Sequence, residues 1–140
     1  MAQGPEDRIA RLKHQHDEVR RQLELLRGSL GAQRPSARAL RKSIVRLTSS
    51  IEAHLTEEES SLYKLLNLRL RRDSPADSMM QEHRLIRQSL RRLQSSSLEY
   101  GEDPSRMAAV KANLGSLGRE IGEHMDKEET ILFWLADLKL

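Results

Sequence analysis

Apolar residues recur at steps of three and four along four stretches of the chain, and each stretch is broken by proline, glycine or serine before the next begins. That spacing puts the apolar side chains on one face of an α-helix. The first series is Ile9, Leu12, Val19, Leu23 and Leu26, and the second is Leu40, Ile44, Leu47, Ile51, Leu62 and Leu65. The third is Met79, Ile86, Leu90 and Leu93; the fourth is Met107, Val110, Leu114, Leu117, Ile121, Ile131 and Leu135. The breakers are "RGSLGAQRPS" around Gly28 to Ser36, "RRDSPADS" from Arg71 to Ser78 and "SSSLEYGEDPS" from Ser95 to Ser105. Pro5, Pro35, Pro75 and Pro104 each stand where a helix would begin, a place that tolerates a missing amide hydrogen. Short connections favour antiparallel neighbours, so the expected fold is all-α, an antiparallel up-down-up-down four-helix bundle.

Every apolar series has a gap, and the residues filling the gaps keep the same stepping. They are His16, the pair His54 and Glu58, His83, and the pair His124 and Glu128. Buried and unpaired, such groups would cost several kcal/mol each. A bound cation reverses that cost, because it holds carboxylates ionised and histidines neutral as ligands. Residues four apart on a helix project from one face, so each His-x-x-x-Glu pair can grip one ion or two adjacent ions. Imidazole nitrogen with carboxylate oxygen and no sulfur suits iron or manganese and tolerates zinc. One histidine in an apolar stripe is ordinary core, but four of the five histidines fall on the interior phase of four different helices. His14 is the exception: it points about 200° around the helix from His16 and belongs in solvent.

The segments repeat. "HLTEEESSLY" (His54 to Tyr63) and "HMDKEETILF" (His124 to Phe133) share a leading histidine, two adjacent glutamates, a small hydroxyl residue, then leucine and an aromatic. The lone histidines in "HDEVRRQL" and "HRLIRQSL" are each followed by a β-branched residue and a leucine at matching offsets. Two copies of a helical hairpin would bring a near two-fold pair of metal positions. Glu57, Glu59 and Glu129 flank the pairs as solvated or salt-bridging residues, one or two of them within reach of a ligand's spare N–H. Phe133 and Trp134 read as core packing that closes the end of the bundle. Tyr63 and Tyr100 could contact a bound small molecule, although their spacing does not demand it.

Composition narrows the rest. At 140 residues the chain suits a single domain, residues 1–140. There is no cysteine, which excludes disulfides, thiolate metal sites and cysteine nucleophiles. The opening "MAQGPEDRIARLKHQ" has no apolar leader, and no later run approaches the ~18 apolar residues of a membrane span. A cytoplasmic protein is the expectation. The net charge of +3 comes from arginines interleaved with acids and almost without aromatics, the pattern of a solvated helix face rather than a nucleic-acid footprint.

These residues resemble the hemerythrin-like, or HHE cation-binding, family over nearly the whole chain. Its order of lone His, His-x-x-x-Glu, lone His, His-x-x-x-Glu is met at His16, His54 with Glu58, His83, and His124 with Glu128. The resemblance implies a non-haem di-iron centre: two iron ions bridged by both glutamates and by an oxo, hydroxo or water ligand, with manganese or zinc as second choices. Oxygen-carrying members have a further histidine four residues after the third-helix ligand; here that residue is Arg87. The implied partner is a small molecule, O2, H2O2 or NO, with no membrane and no nucleic acid, the chain acting as a monomer or weak homodimer. Binding or sensing of such a molecule leads. Peroxide disproportionation of the catalase-like kind and iron- or redox-dependent regulation are the alternatives, and ferritin-like storage fits less well because that class uses mostly carboxylates.

Overall fold

The computed structural model describes residues 5–32, 35–101 and 103–135. Five α-helices follow in order: α1 (Pro5–Ala32), α2 (Ala37–Glu57), α3 (Tyr63–Leu70), α4 (Ala76–Tyr100) and α5 (Pro104–Lys127), with no strand among the described residues. A π-helical turn, Glu58–Leu62, joins α2 to α3, so those two helices form one long rod; a second, Glu128–Leu132, continues α5. The four rods close into a ring, α1 packing on α2 and α5, and α4 packing on the same two. This is the four-helix bundle expected from the apolar stepping.

Local chemistry sets the ends. The Ser36 hydroxyl accepts from the Ala39 amide at 3.1 Å, and the Asp103 carboxylate accepts from the Ser105 amide at 3.0 Å, each satisfying a donor that the first helical turn leaves free. Gly101 ends α4 in the left-handed region at φ 46°, where a glycine costs least. Two breaker stretches are shorter than their composition suggests. Helix α1 runs on to Ala32, and α4 runs through Ser95–Tyr100 because Ser96, Ser97 and Tyr100 are buried there. The Tyr100 hydroxyl donates to the Pro35 carbonyl at 2.9 Å, pinning the α4 end to the α1–α2 connection rather than contacting a bound molecule.

The π turns correct the apolar register beyond them. In each, an amide bonds five residues back, Tyr63 N–H to Glu58 C=O and Phe133 N–H to Glu128 C=O. One extra residue per turn rotates everything downstream by about 100° relative to an unbroken α-helix. Leu66 is therefore buried where Leu65 was expected, and Leu132 and Phe133 are buried while Ile131 is 51 % exposed. Leu135 is only partly buried and Trp134 is exposed, so Phe133 alone closes the core there. The hydroxyls of Ser61 and Thr130 bond the carbonyls of Glu57 and Asp126 inside these widened turns. All the other apolar positions expected from the sequence are buried.

Candidate metal centre

Six polar side chains divide the core. His16 comes from α1, His54 from α2, His83 from α4 and His124 from α5, while Glu58 and Glu128 are the first residues of the two π turns. All six are at most 1 % exposed. They form two groups of four, His16 with His54 and His83 with His124, and both groups contain Glu58 and Glu128. Within each group the donor atoms lie within 4.8 Å of one another. The structure thus brings together every residue that the sequence marked as a candidate ligand, and it leaves His14 exposed.

All four imidazoles turn Nε2 inward. His16 Nε2 is 3.2 Å from Glu128 Oε1, and His54 Nε2 is 3.3 Å from Glu58 Oε1. His83 Nε2 is 3.2 Å from Glu58 Oε1, and His124 Nε2 is 3.3 Å from Glu128 Oε2. Several of these buried atoms have no hydrogen-bond partner: Nε2 of His16 and His54, both oxygens of Glu58, and Glu128 Oε1. Imidazole nitrogens and carboxylate oxygens without partners, aimed at common points in a dry interior, fit metal ions.

Nδ1 of His54, His83 and His124 bonds outward to an oxygen, which fixes the tautomer that leaves Nε2 free to ligate. His54 meets Gln15 Oε1 at 2.7 Å, His83 meets Glu59 at 2.6 Å and His124 meets Glu82 at 2.7 Å. His16 Nδ1 faces Glu129 at an ion-pair distance of 3.5 Å. These oxygens are braced in turn: Glu59 by Arg87 at 2.7 Å, Glu129 by Arg20 at 2.5 Å, Glu82 by Lys127 at 2.9 Å and Gln15 by Glu57 at 2.5 Å. Glu57 also pairs with Arg11. Glu59 therefore orients His83 and Glu129 faces His16 as an ion-pair partner, whereas Glu57 acts one contact further out.

Gln15, Glu82 and the role of Tyr63 were not evident from the sequence. A signal existed in the repeat: the residue just before each lone histidine reaches the paired histidine of its own half, and the residue just after each central glutamate reaches the lone histidine of the other half. Arg20 and Arg87, each four residues after a lone histidine, match in the same way. The Tyr63 hydroxyl donates to Glu128 Oε2 at 2.5 Å and lies 3.0 Å from His83 Nε2. Its repeat partner Phe133 instead stacks on His16 with ring centres 5.4 Å apart.

Without metal, the centre holds protons. Burial pulls His16 and His124 down, but the close carboxylates of Glu128 and Glu58 outweigh it and leave them at about 9 and about 10. Burial, reinforced by the charges of the other histidines, lowers His54 to about 4. Burial and the nearby negative charges of Glu58 and Glu128 raise Tyr63, which keeps its phenol a donor. Burial and the charge of Glu58 also raise Glu128, while against burial the neighbouring Glu128 and the surrounding histidines hold Glu58 well below the ordinary carboxylate range.

A helical bundle with nitrogen and carboxylate donors at its centre defines a non-haem metal-binding protein. The family model for the Hemerythrin HHE cation binding domain matches residues 7–136, and the chain belongs to that family. No curated protein and no solved structure matches the chain. Among the described residues no helix is long and apolar enough to cross a membrane.

Proposed function

We propose that His16, His54, Glu58, His83, His124 and Glu128 hold two iron ions, one per group, with both glutamates shared, and that the chain binds or senses O2, peroxide or NO there. The observation that carries this reading is the pair of overlapping four-residue groups with two carboxylates in common. Iron in these positions supplies Lewis acidity and exchangeable electrons toward a small oxidant or diatomic gas. Two histidines and two shared carboxylates per ion leave coordination room for such a molecule. Arg87 is held by Glu52 and Glu59, so α4 offers the centre a single nitrogen, His83, and reversible carriage of oxygen has less support. Apolar clusters above and below keep bulk water out, and Tyr63 holds a proton at Glu128 Oε2.

That proton also favours a second reading, peroxide disproportionation, in which a buried acid beside the centre assists departure of water. Loading the full chain with ferrous iron under anaerobic conditions tests both. Two irons per chain, with near-ultraviolet and visible bands that change on adding oxygen, azide or NO, are expected. Failure to retain iron, or bands indifferent to all three, would sink the proposal. Oxygen evolution from millimolar peroxide would move the reading to the enzyme.

A further inference from the structure

The two halves of the centre differ where the repeat departs from symmetry. In the α4–α5 half, both imidazoles touch carboxylate oxygens, His83 at 2.6 Å from Glu59 and His124 at 2.7 Å from Glu82. In the α1–α2 half, His54 touches the neutral amide oxygen of Gln15 at 2.7 Å, and the carboxylate facing His16 stands off at 3.5 Å. Gln15 and Glu82 occupy matching repeat positions, and so do their braces Glu57 and Lys127. Counting the Arg11 that pairs with Glu57, each chain of contacts carries the same net charge. What differs is where the negative charge sits: on the atom touching His124, but one residue further out from His54.

An anionic acceptor on Nδ1–H makes the imidazole a stronger electron donor at Nε2 than a neutral one does, through a hydrogen bond roughly twice as strong. Tyr63 works the other way by donating to Glu128 Oε2, the oxygen nearest His124. Its hydroxyl also lies 3.0 Å from His83 Nε2 and 3.4 Å from His124 Nε2, so it is one neutral group competing for the lone pairs of that position, against two anionic acceptors strengthening both of its imidazoles. We propose that the two metal positions are inequivalent, the His83–His124 position filling first, and that Glu82 against Gln15 is the positioning pair that sets this order. The inference rests on the two-ion reading above.

The test uses the whole chain with 15N-labelled histidine, titrated with zinc, which shares the donor preference and leaves nuclear resonances sharp. The first equivalent should shift the imidazole signals of His83 and His124, the second those of His16 and His54, with affinities roughly 10- to 100-fold apart. Glu82→Gln should weaken the first step about tenfold and make all four histidines respond together. Gln15→Glu, the second variant, should erase the order by strengthening the other position. A merely structural role for Glu82 would lower stability without changing which histidines respond first. Equal partial shifts of all four in the unaltered chain, His16 and His54 responding first, or an order that survives in Glu82→Gln would each overturn the inference while leaving the two-ion reading intact. Absence of any histidine response would instead remove the two-ion reading itself.

Discussion

The apolar core on one side of the metal layer and the core on the other are built by different rules. The larger cluster joins residues such as Val19, Leu47, Leu90 and Leu117, all placed by uninterrupted α-helical stepping on four rods. The smaller one joins Ile9, Leu12, Leu62, Tyr63, Leu66, Ala76, Met79, Leu132 and Phe133, five of which lie in or beyond the π turns. Each turn begins at a central glutamate, so the feature that aims Glu58 and Glu128 inward also fixes the phase of the smaller cluster. The larger core can stand on its own burial, whereas the smaller depends on the layer beneath it being satisfied.

Removing that satisfaction should give the largest effect. Glu58→Ala deletes a carboxylate belonging to both groups, so affinity for the second ion should fall roughly 100-fold or more. Amide protection should then collapse in Leu62 to Met79 and around Leu132, while Leu47, Leu90 and Leu117 keep theirs. Hydrogen exchange on metal-loaded and metal-free protein reads this directly. Equal loss of protection in both clusters would break the comparison.

Acidity acts on the same layer. Without metal, protons on His16 and His124 balance Glu58 and Glu128, taking the place of the ions. Their folded values of about 9 and about 10 lie above the ordinary 6.5, so their contribution is complete below pH 6.5 and disappears as pH rises through 9 to 10. His54, lowered to about 4, acts oppositely and costs stability as pH falls from 6.5 toward 4. Metal-free protein should therefore lose several kcal/mol between pH 6.5 and 10, and the loaded form, whose imidazoles are neutral ligands, should not. Thermal melts of both forms across that range decide it, and parallel profiles would refute the proton-for-metal account.

Paired truncations sharpen the contrast further. Leu117→Ala and Leu66→Ala each remove a fully buried side chain and should cost about 2–5 kcal/mol in the metal-free protein. Only Leu66→Ala should also weaken metal binding, since it loosens the segment that follows Glu58. Calorimetric titration of both variants checks the difference, and equal weakening would show that the two clusters act as one.

The sequence marked the six central residues because an ionisable group on an apolar phase is conspicuous. It marked the larger core because α-helical periodicity carries through it without a break. In the smaller core the α-helical period points to Leu65 and Ile131 where Leu66, Leu132 and Phe133 are buried, since a π turn leaves no apolar signature of its own. Gln15 and Glu82 carry no signal of their own for a related reason: partly buried polar residues look like surface until the neighbouring helix is placed. Ser95 to Tyr100 read as a loop from its serines, yet burial of Ser96, Ser97 and Tyr100 outweighs their weak helical preference.

The smallest expected effect tests the π register itself. If the helix after Lys127 were continuous, Ile131 would lie on the phase of Ile121 and Glu128, and Ile131→Ser would open a polar hole in the core. In the π register Ile131 faces solvent, so this change should alter stability by no more than about 0.5 kcal/mol. Phe133→Ala, two residues on, should cost about 3–5 kcal/mol because Phe133 is buried in the π register, whereas an unbroken α-helix would turn it well away from the face of Glu128. Denaturant melts of the two variants compare them directly. A large loss from Ile131→Ser with little from Phe133→Ala would restore the continuous α-helix and remove the common origin of the two π turns on which the contrast between the cores depends.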